Sequence, residues 1–132
     1  MITGPDDGKL QISRSTDKGL GWQIPVTISD SVHAGSHNQG VNIGTGPNGE
    51  VYAVWAIYDA FPGDENALGF ARSFNGGQTW QPATRIIDSI RGIRTHGVNY
   101  EMRVNSFPSM TVDNSFSPWR GKIYVVWSKC IS

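Results

Sequence analysis

The chain has 132 residues, 11 basic and 11 acidic side chains, 16 glycines, five tryptophans and one cysteine. Its length predicts one ordinary domain, and its zero net charge excludes nucleic acid or an anionic membrane as a partner held by bulk electrostatics. The single cysteine excludes a disulfide framework and a multi-cysteine zinc site, and no apolar run approaches the roughly 18 residues of a membrane span.

The chain begins with Met1–Gly8, which has neither the basic region nor the apolar stretch of a secretory signal. We therefore expect a cytoplasmic protein unless a signal was removed. No window shows a sustained helical period, and glycine-bounded runs of β-branched and aromatic residues predict strands. The predicted strands lie at about 9–15, 21–29, 41–46, 50–58, 67–73, 79–87, 107–113 and 121–129. The expected fold class is all-β.

Two of these strands are nearly identical in sequence. Val51–Trp55 and Ile123–Trp127 share the pattern Tyr-x-Val-Trp, and each follows a turn that contains glycine. The first is apolar on both of its faces, because its odd and its even positions are all apolar or aromatic. A strand that is apolar on both faces is covered on both faces. The pattern therefore predicts a sheet that lies between two other sheets.

A second repeat places the strands in a common unit. Leu10–Trp22 aligns without gaps on Leu68–Trp80 at an offset of 58 residues, and both segments contain Arg-Ser, an Asp or Asn, a glycine and the final tryptophan. A looser match relates Gly40–Gly49 to Phe107–Ser115, and each of these segments precedes its Tyr-x-Val-Trp strand. Four short antiparallel strands in one repeat are typical of a β-propeller blade.

Two of the predicted turns carry a recognisable motif. Ser15–Trp22 reads Ser-x-Asp-x-Gly-x-x-Trp, which is the Asp-box pattern, and Ser73–Trp80 is a second copy with Asn in place of Asp. With the Tyr-x-Val-Trp strands, these motifs make nearly the whole chain resemble the sialidase-like, or BNR-repeat, β-propellers. The resemblance implies that the boxes lie on turns away from the ligand funnel. The residues of the two boxes are Ser15, Asp17, Gly19 and Trp22, and Ser73, Asn75, Gly77 and Trp80.

The hydrogen-bonding and backbone properties of the box residues predict a structural role for them. The Asp or Asn side chain bonds to nearby backbone in a tight turn, and the glycine supplies a positive φ. Each tryptophan is expected to begin an outer strand and to pack over the turn. The aspartate of the box is therefore not expected to be catalytic.

The chain is too short to close a propeller alone, because a six-bladed ring needs roughly three times its length. Trp55 and Leu68 are 13 residues apart, and the matching step from Trp127 of one copy to Leu10 of the next spans 15. We therefore expect either a fragment or, preferably, two blade-equivalents per chain in a homotrimer whose neighbouring chains share blades. The expected division is 1–30, two strands of a shared blade; 31–88, a complete four-stranded blade; and 89–132, a loop and two strands of a shared blade.

Propeller ligands usually bind at the axial opening, so the loops that lead to the first and third strands of each unit are the expected binding surface. The longest, 88–105, contains three arginines, a histidine, a tyrosine and a glutamate. Arginine donates bidentate hydrogen bonds to carboxylates, and a threefold ring places three copies of Arg103 around one axis. The candidate ligand-binding residues are Arg103, Glu101, Tyr100, His96, His37, Asn38, Asn105 and Asp59.

Other polar residues allow alternative interpretations. Asp59, Asp64 and Glu65 cluster on one loop. The cluster can be a solvated turn, a pair of carboxylates for acid/base chemistry or a calcium site, although the spacing is not that of an EF-hand. His33 and His37 are four residues apart, which suits zinc on a helix, but the glycine and serine between them favour a loop. We therefore expect no metal and no cofactor.

Three functions are consistent with these residues. The first is a non-catalytic propeller that binds a carbohydrate or a small anion, with other copies of itself as partners. The second is a sialidase-type glycoside hydrolase, for which the resemblance implies three arginines, a tyrosine nucleophile assisted by glutamate, and an aspartate acid/base. The third is a structural or protein-interaction propeller.

We expect the first function, for two reasons. The Phe-Arg-Ile-Pro motif of the family is absent from the chain. Tyr100 and Glu101 are neighbours, so on an extended strand their side chains point to opposite faces and make a poor catalytic pair. Cys130 is expected to be a buried free thiol at the junction between chains.

Overall fold

The computed structural model describes residues 8–32, 36–96 and 102–131. Within these residues the protein is all-β, and eight strands form three antiparallel sheets. The strands are β1 (Gln11–Ile12), β2 (Val26–Thr27), β3 (His37–Thr45), β4 (Val51–Tyr58), β5 (Ala67–Ser73), β6 (Thr84–Asp88), β7 (Ser109–Val112) and β8 (Ile123–Val126). This part of the chain forms no helix of the length and apolarity that crossing a membrane requires.

The largest sheet has four strands in the order β3–β4–β5–β6, so each strand pairs with its neighbour in sequence. All of its pairings are antiparallel. The two other sheets are the pairs β1–β2 and β7–β8. This order confirms the antiparallel strands that the repeats predict.

The four-stranded sheet is covered on both faces by the smaller sheets. On one face, Trp55 belongs to a core cluster against which Ile12 of β1 packs. On the other face, Val54 clusters with Met110 of β7, and Val125 of β8 packs against them. Burial of both faces confirms the expectation drawn from the apolar pattern of β4. The hydrophobic core of the protein is thus divided into two layers by its central sheet.

Trp55 is the largest fully buried side chain among the described residues. Its indole Nε1 donates a 2.8 Å hydrogen bond to Asn38 Oδ1, which satisfies its one polar group. Gly69 is its partner across the β4–β5 ladder, where an added Cβ would lie 2.4 Å from the indole. The glycine therefore makes room for the large ring.

Both outer strands begin later than predicted. Trp22 and Trp80, which were expected to be the first residues of these strands, instead lie before β2 and β6. Pro25 directly precedes β2, and Pro82 lies two residues before β6. Proline has no N–H to donate to a ladder, which explains why both strands start only after it.

The first strand of the central sheet begins earlier than predicted. β3 starts at His37 instead of at about residue 41, and it crosses a β-bulge between Gln39 and Asn42. Gly40 lies in this bulge with a φ of +67°, a conformation that favours glycine. The bulge extends the pairing into a polar segment that the sequence suggests is a loop.

The turn that follows β1 is held by its own side chains. Ser15 Oγ accepts a hydrogen bond from Gly19 N at 2.8 Å, and Asp17 Oδ1 accepts one from Gly21 N at 2.8 Å. The hydroxyl of Ser15 also donates to Asp17 Oδ1 at 2.7 Å. The bond from Gly21 N, followed by the bond from Ser15, lowers the pKa of Asp17 below its ordinary value.

The turn after β5 repeats this network. Ser73 Oγ accepts from Gly77 N at 2.9 Å, and Asn75 Oδ1 accepts from Thr79 N at 2.9 Å. The backbone follows too, since Gly19 and Gly77 have φ values of +89° and +83°. Both turns thus use the polar side chains and the glycine as the sequence predicts.

The tryptophans that follow the two turns differ in their surroundings. Trp80 is partly buried and packs against the core cluster that contains Trp55. Trp22 is 67% exposed, so the packing expected for it over its turn is not seen in this chain. The exposed Trp22 lies four residues before β2, outside the ladder of that sheet.

Candidate functional site

Two loops meet at one end of the central sheet. The first, residues 59–66, joins β4 to β5, and the second, residues 89–96, follows β6. Their backbones are tied together, because Gly92 N donates to Glu65 O at 3.0 Å and Ile90 N donates to Asn66 O at 3.1 Å. The sequence predicts that loops at this end carry the ligand site.

The carboxylate of Glu65 fastens these loops to each other. Its Oε1 accepts hydrogen bonds from the hydroxyl of Tyr58 at 2.9 Å and from Ser106 N at 2.9 Å. Its Oε2 accepts from Ile93 N at 3.2 Å and from Arg94 N at 3.3 Å. Glu65 is 1% exposed, so the solvated turn that the sequence suggested for it is wrong. A buried carboxylate is tolerated because these donors replace water.

Tyr58 is held in its protonated form by the same arrangement. The residue is 1% exposed. Its burial, followed by the hydrogen bond to Glu65, raises its pKa well above the ordinary value for tyrosine. The hydroxyl therefore acts as a hydrogen-bond donor to the carboxylate.

A pocket of about 360 Å³ opens beside Tyr58. Two arginines, Arg94 and Arg103, contribute to its wall, and no hydrogen bond or ion pair of the Arg103 side chain is found among the described residues. The lining residues are Gln39, Tyr58, Arg94, Met102, Arg103, Val104, Asn105 and Phe107. The pocket is thus lined by two arginines, by Gln39 and Asn105 with their amides, and by apolar residues.

Aromatic side chains pack beneath the loop that joins β4 to β5. The ring of Phe61 stacks on His37 with centroids 4.0 Å apart and meets Tyr58 edge-on at 5.5 Å. The guanidinium of Arg94 lies 4.8 Å from the Phe61 centroid and donates to Pro62 O. These contacts hold the guanidinium of Arg94 against Phe61 and Pro62, at the edge of the first pocket that Arg94 lines.

Two predicted ligand residues have roles inside the protein. Asn38 is buried, and its amide binds Trp55 Nε1 through Oδ1 and donates to Gly8 O at 2.9 Å through Nδ2. His37 is also buried, within the aromatic cluster described above. The Oδ1 atom of Asn105 accepts from Phe107 N at 3.0 Å, yet Asn105 still lines the pocket.

Asp59 lies outside the pocket and is engaged by an arginine. Arg85 donates to both carboxylate oxygens of Asp59, at 2.6 and 2.8 Å, and also to Asp88. The hydrogen bond to Asp59 is the largest cause of a raised pKa for Arg85. Asp59 therefore anchors β6 to the loop after β4.

His96 lies in a second pocket of about 340 Å³, on a different part of the same loops. Its Nε2 is 3.2 Å from Cys130 Sγ, and its Nδ1 is 3.8 Å from Asp64 Oδ2. Cys130 is a free thiol and is partly exposed in the single chain, so its burial at a junction between chains stays a prediction. The sequence did not connect these residues, because His96 and Cys130 are 34 positions apart.

The candidates Tyr100 and Glu101, and His33 of the alternative zinc site, lie outside the described residues. In the described ranges, no group of three or more His, Cys, Asp or Glu side chains is arranged to hold a metal ion. The described arginines therefore supply the clearest ligand chemistry of the first pocket.

Comparisons of the chain with protein-family models, with curated proteins and with solved structures found no match. The function is therefore argued from the two pockets and from the residues that line them.

Proposed function

We propose that this protein binds a small carboxylated ligand, an acidic monosaccharide, in the pocket between Arg94 and Arg103, without catalysing a reaction on it. The observation that carries the proposal is that two arginines line one pocket. Arginine suits a carboxylate because its planar fork donates two parallel hydrogen bonds. The side chain of Arg103 is available for this contact, since no partner for it is found among the described residues.

The remaining walls of the pocket suit a sugar. The amides of Gln39 and Asn105 can bond to hydroxyl groups, and the side chains of Met102 and Phe107 offer apolar surface to the C–H face of a sugar ring. The volume of about 360 Å³ is at the small end of the range for ligand pockets. A monosaccharide is therefore a better match than an oligosaccharide.

A sialidase-type hydrolase is the second candidate, because Tyr58 and Glu65 form a hydrogen-bonded pair beside this pocket. The sequence pairs only Tyr100 with Glu101, so this pair is new. A tyrosine nucleophile must lose its proton to react. The raised pKa of Tyr58 and the occupation of Glu65 by three backbone N–H groups oppose that step. Binding without turnover is thus the better-supported function.

Calorimetric titration tests the proposal with N-acetylneuraminic acid, glucuronic acid and neutral glucose. We expect the acidic sugars to bind and glucose to bind at least about tenfold more weakly, which corresponds to about 1.4 kcal/mol. Arg103→Ala should weaken acid binding by a similar factor. Arg72→Ala removes an exposed arginine that packs on Phe74, outside this pocket, and should leave binding unchanged.

Two results would contradict this function. Equal affinity for glucose and the acids would remove the role of the arginines. Release of the aglycone from a fluorogenic sialoside, lost in Tyr58→Phe, would instead select the hydrolase.

We also propose that the chain assembles into a ring of three, with two blade-equivalents from each copy. The support is apolar surface on the two small sheets: Val26 of β2 is 43% exposed, and Tyr124 and Val126 of β8 are 50% and 65% exposed. Among the described residues, β8 pairs only with β7 and β1 pairs only with β2, so each has a free edge. Light scattering should give the mass of three 14.4 kDa chains, and a folded monomer would refute the ring.

A further inference from the structure

We propose that Cys130 is a nucleophilic thiol served by His96 and Asp64, and that it accepts the acyl group of a small ester in the second pocket. This activity is separate from ligand binding between Arg94 and Arg103. It depends on residues that lie outside that first pocket.

The thiol of Cys130 is in direct contact with the imidazole of His96. Cys130 Sγ lies 3.2 Å from His96 Nε2, which is hydrogen-bond distance for sulfur. With its proton on Nδ1, His96 presents the lone pair of Nε2 to the S–H group. A thiol beside a proton acceptor is the pairing that activates cysteine nucleophiles.

A carboxylate lies near the other nitrogen of the imidazole. Asp64 Oδ2 is 3.8 Å from His96 Nδ1, close enough to stabilise the imidazolium that forms when the thiol proton is transferred. The carboxylate is fixed in turn, because Thr95 donates to it from its backbone N at 2.6 Å and from its hydroxyl at 2.9 Å. Asp64 is therefore a positioning residue.

A pocket beside the thiol offers space for a substrate. Cys130, His96 and Asp64 all line the pocket of about 340 Å³, so an electrophile in this pocket can reach the sulfur. The backbone of Cys130 is held there, since its N–H donates to Arg91 O at 2.8 Å. The volume limits the substrate to a short acyl group on a small alcohol or phenol.

The proposed reaction transfers the acyl group of the ester first to Cys130 and then to water. The Cys130 proton passes to His96 Nε2 while the sulfur forms a bond to the acyl carbon. The C–O bond of the ester breaks, and the leaving oxygen takes the proton from His96, so the products are a thioester and the free phenol. Water then attacks the acyl carbon of the thioester while His96 takes its proton. The C–S bond breaks and His96 returns the proton to the sulfur, which releases the carboxylic acid and restores the thiol.

The test is acetylation by p-nitrophenyl acetate, measured by release of p-nitrophenol and by intact mass. Because the chain has a single cysteine, a gain of one acetyl group that is lost in Cys130→Ser locates the thioester. His96→Gln should slow acetylation by about a hundredfold, the lower end of the usual contribution of a general base. Added imidazole should restore the rate of His96→Ala.

A relocated thiol is the matched control. The double variant Cys130→Ser with Ser128→Cys places the thiol on an exposed position two residues earlier, and it should react at least about tenfold more slowly than the native chain. Asp64→Asn should lower kcat several-fold and leave KM unchanged, because it acts through the imidazole. The proposal is overturned if His96→Gln is acetylated as fast as the native chain, or if the relocated thiol reacts equally fast.

Discussion

The hydroxyl of Tyr58 donates a 2.9 Å hydrogen bond to Glu65 Oε1, and both residues are 1% exposed. Tyr58 is the last residue of β4, and Glu65 belongs to the loop that follows it. The same carboxylate also receives backbone N–H groups from the loop after β6 and from Ser106. One buried carboxylate thus joins three chain segments around the candidate site.

Glu65→Gln should therefore destabilise the protein more than an ordinary Glu→Gln change. An amide can accept only through its oxygen, so its NH₂ group would face backbone donors and leave them unsatisfied. We expect a loss of about 2–3 kcal/mol in the free energy of unfolding, measured by urea denaturation. Glu50→Gln is the control, because Glu50 caps an exposed turn through Asn48 N at 2.9 Å. Equal losses in the two variants would contradict this account of Glu65.

The raised pKa of Tyr58 predicts a loss of stability at high pH. As the pH rises above the ordinary tyrosine value of about 10, the unfolded chain releases this proton while the folded chain keeps it. The free energy of unfolding should therefore fall, by at most about 1.4 kcal/mol per pH unit for this group. Burial also raises the pKa of Tyr52, so Tyr58→Phe should remove part of the slope and the double variant with Tyr52→Phe more. An unchanged slope in Tyr58→Phe would be inconsistent with the burial seen here.

The strands could be predicted from the sequence because their signals are local. The Val51–Trp55 run shows a strand covered on both faces, and the Ser15 and Ser73 turns show where chain direction reverses. The sites could not be predicted in the same way. Ser106 N and Glu65 are 41 positions apart, so their contact depends on how loops pack after the sheet has formed. The bulge at Gly40 is likewise not evident from the sequence, because a polar segment with a glycine has the composition of a loop.

The turns after β1 and β5 are equivalent, so exchanging lysine and glycine at their matching positions, 18 and 76, should change the free energy of unfolding in opposite directions. Lys18 has a φ of +62°, and Gly76, which occupies the same place in the second turn, has +66°. A side chain is strained in this left-handed conformation, whereas glycine adopts it freely. Lys18→Gly should raise the free energy of unfolding by about 0.5–1 kcal/mol, and Gly76→Lys should lower it by about 1 kcal/mol. Thermal unfolding measures both, and a shift of the same sign in the two variants would refute the equivalence.

Substitutions at Gly40 and Gly49 distinguish the cost of backbone strain from the cost of steric overlap. Both have positive φ, at +67° and +88°, but an added Cβ at Gly40 would lie 2.1 Å from the Phe107 ring, and at Gly49 it would meet nothing within 4 Å. Gly49→Ala should cost about 1 kcal/mol from strain alone. Gly40→Ala should cost about 2–3 kcal/mol more, because the ring must move. Phe107 also lines the first pocket, so only Gly40→Ala should weaken binding of an acidic sugar.

The proposed ring specifies which residues of two chains lie opposite each other. By the sequence repeats, Val126 corresponds to Val54 and Ile12 corresponds to Phe70, and Val54 pairs with Phe70 in the β4–β5 ladder. In a blade shared between chains, Val126 should therefore face Ile12 of the next copy. In a Cys130→Ser background, mixing the Val126→Cys and Ile12→Cys proteins under mild oxidation should give a covalent dimer.

A register control makes this cross-link decisive. Tyr124 lies on the same face of β8 as Val126 but two residues away, so a cysteine there would be too far from Ile12 for a disulfide in the predicted register. Mixing Tyr124→Cys with Ile12→Cys should give little covalent dimer, and Val126→Cys alone should give none. If the two mixtures cross-link equally, the contact is random collision. If neither does, β8 and β1 of neighbouring chains do not pair, and the exposed side chain of Val126 is covered in some other way.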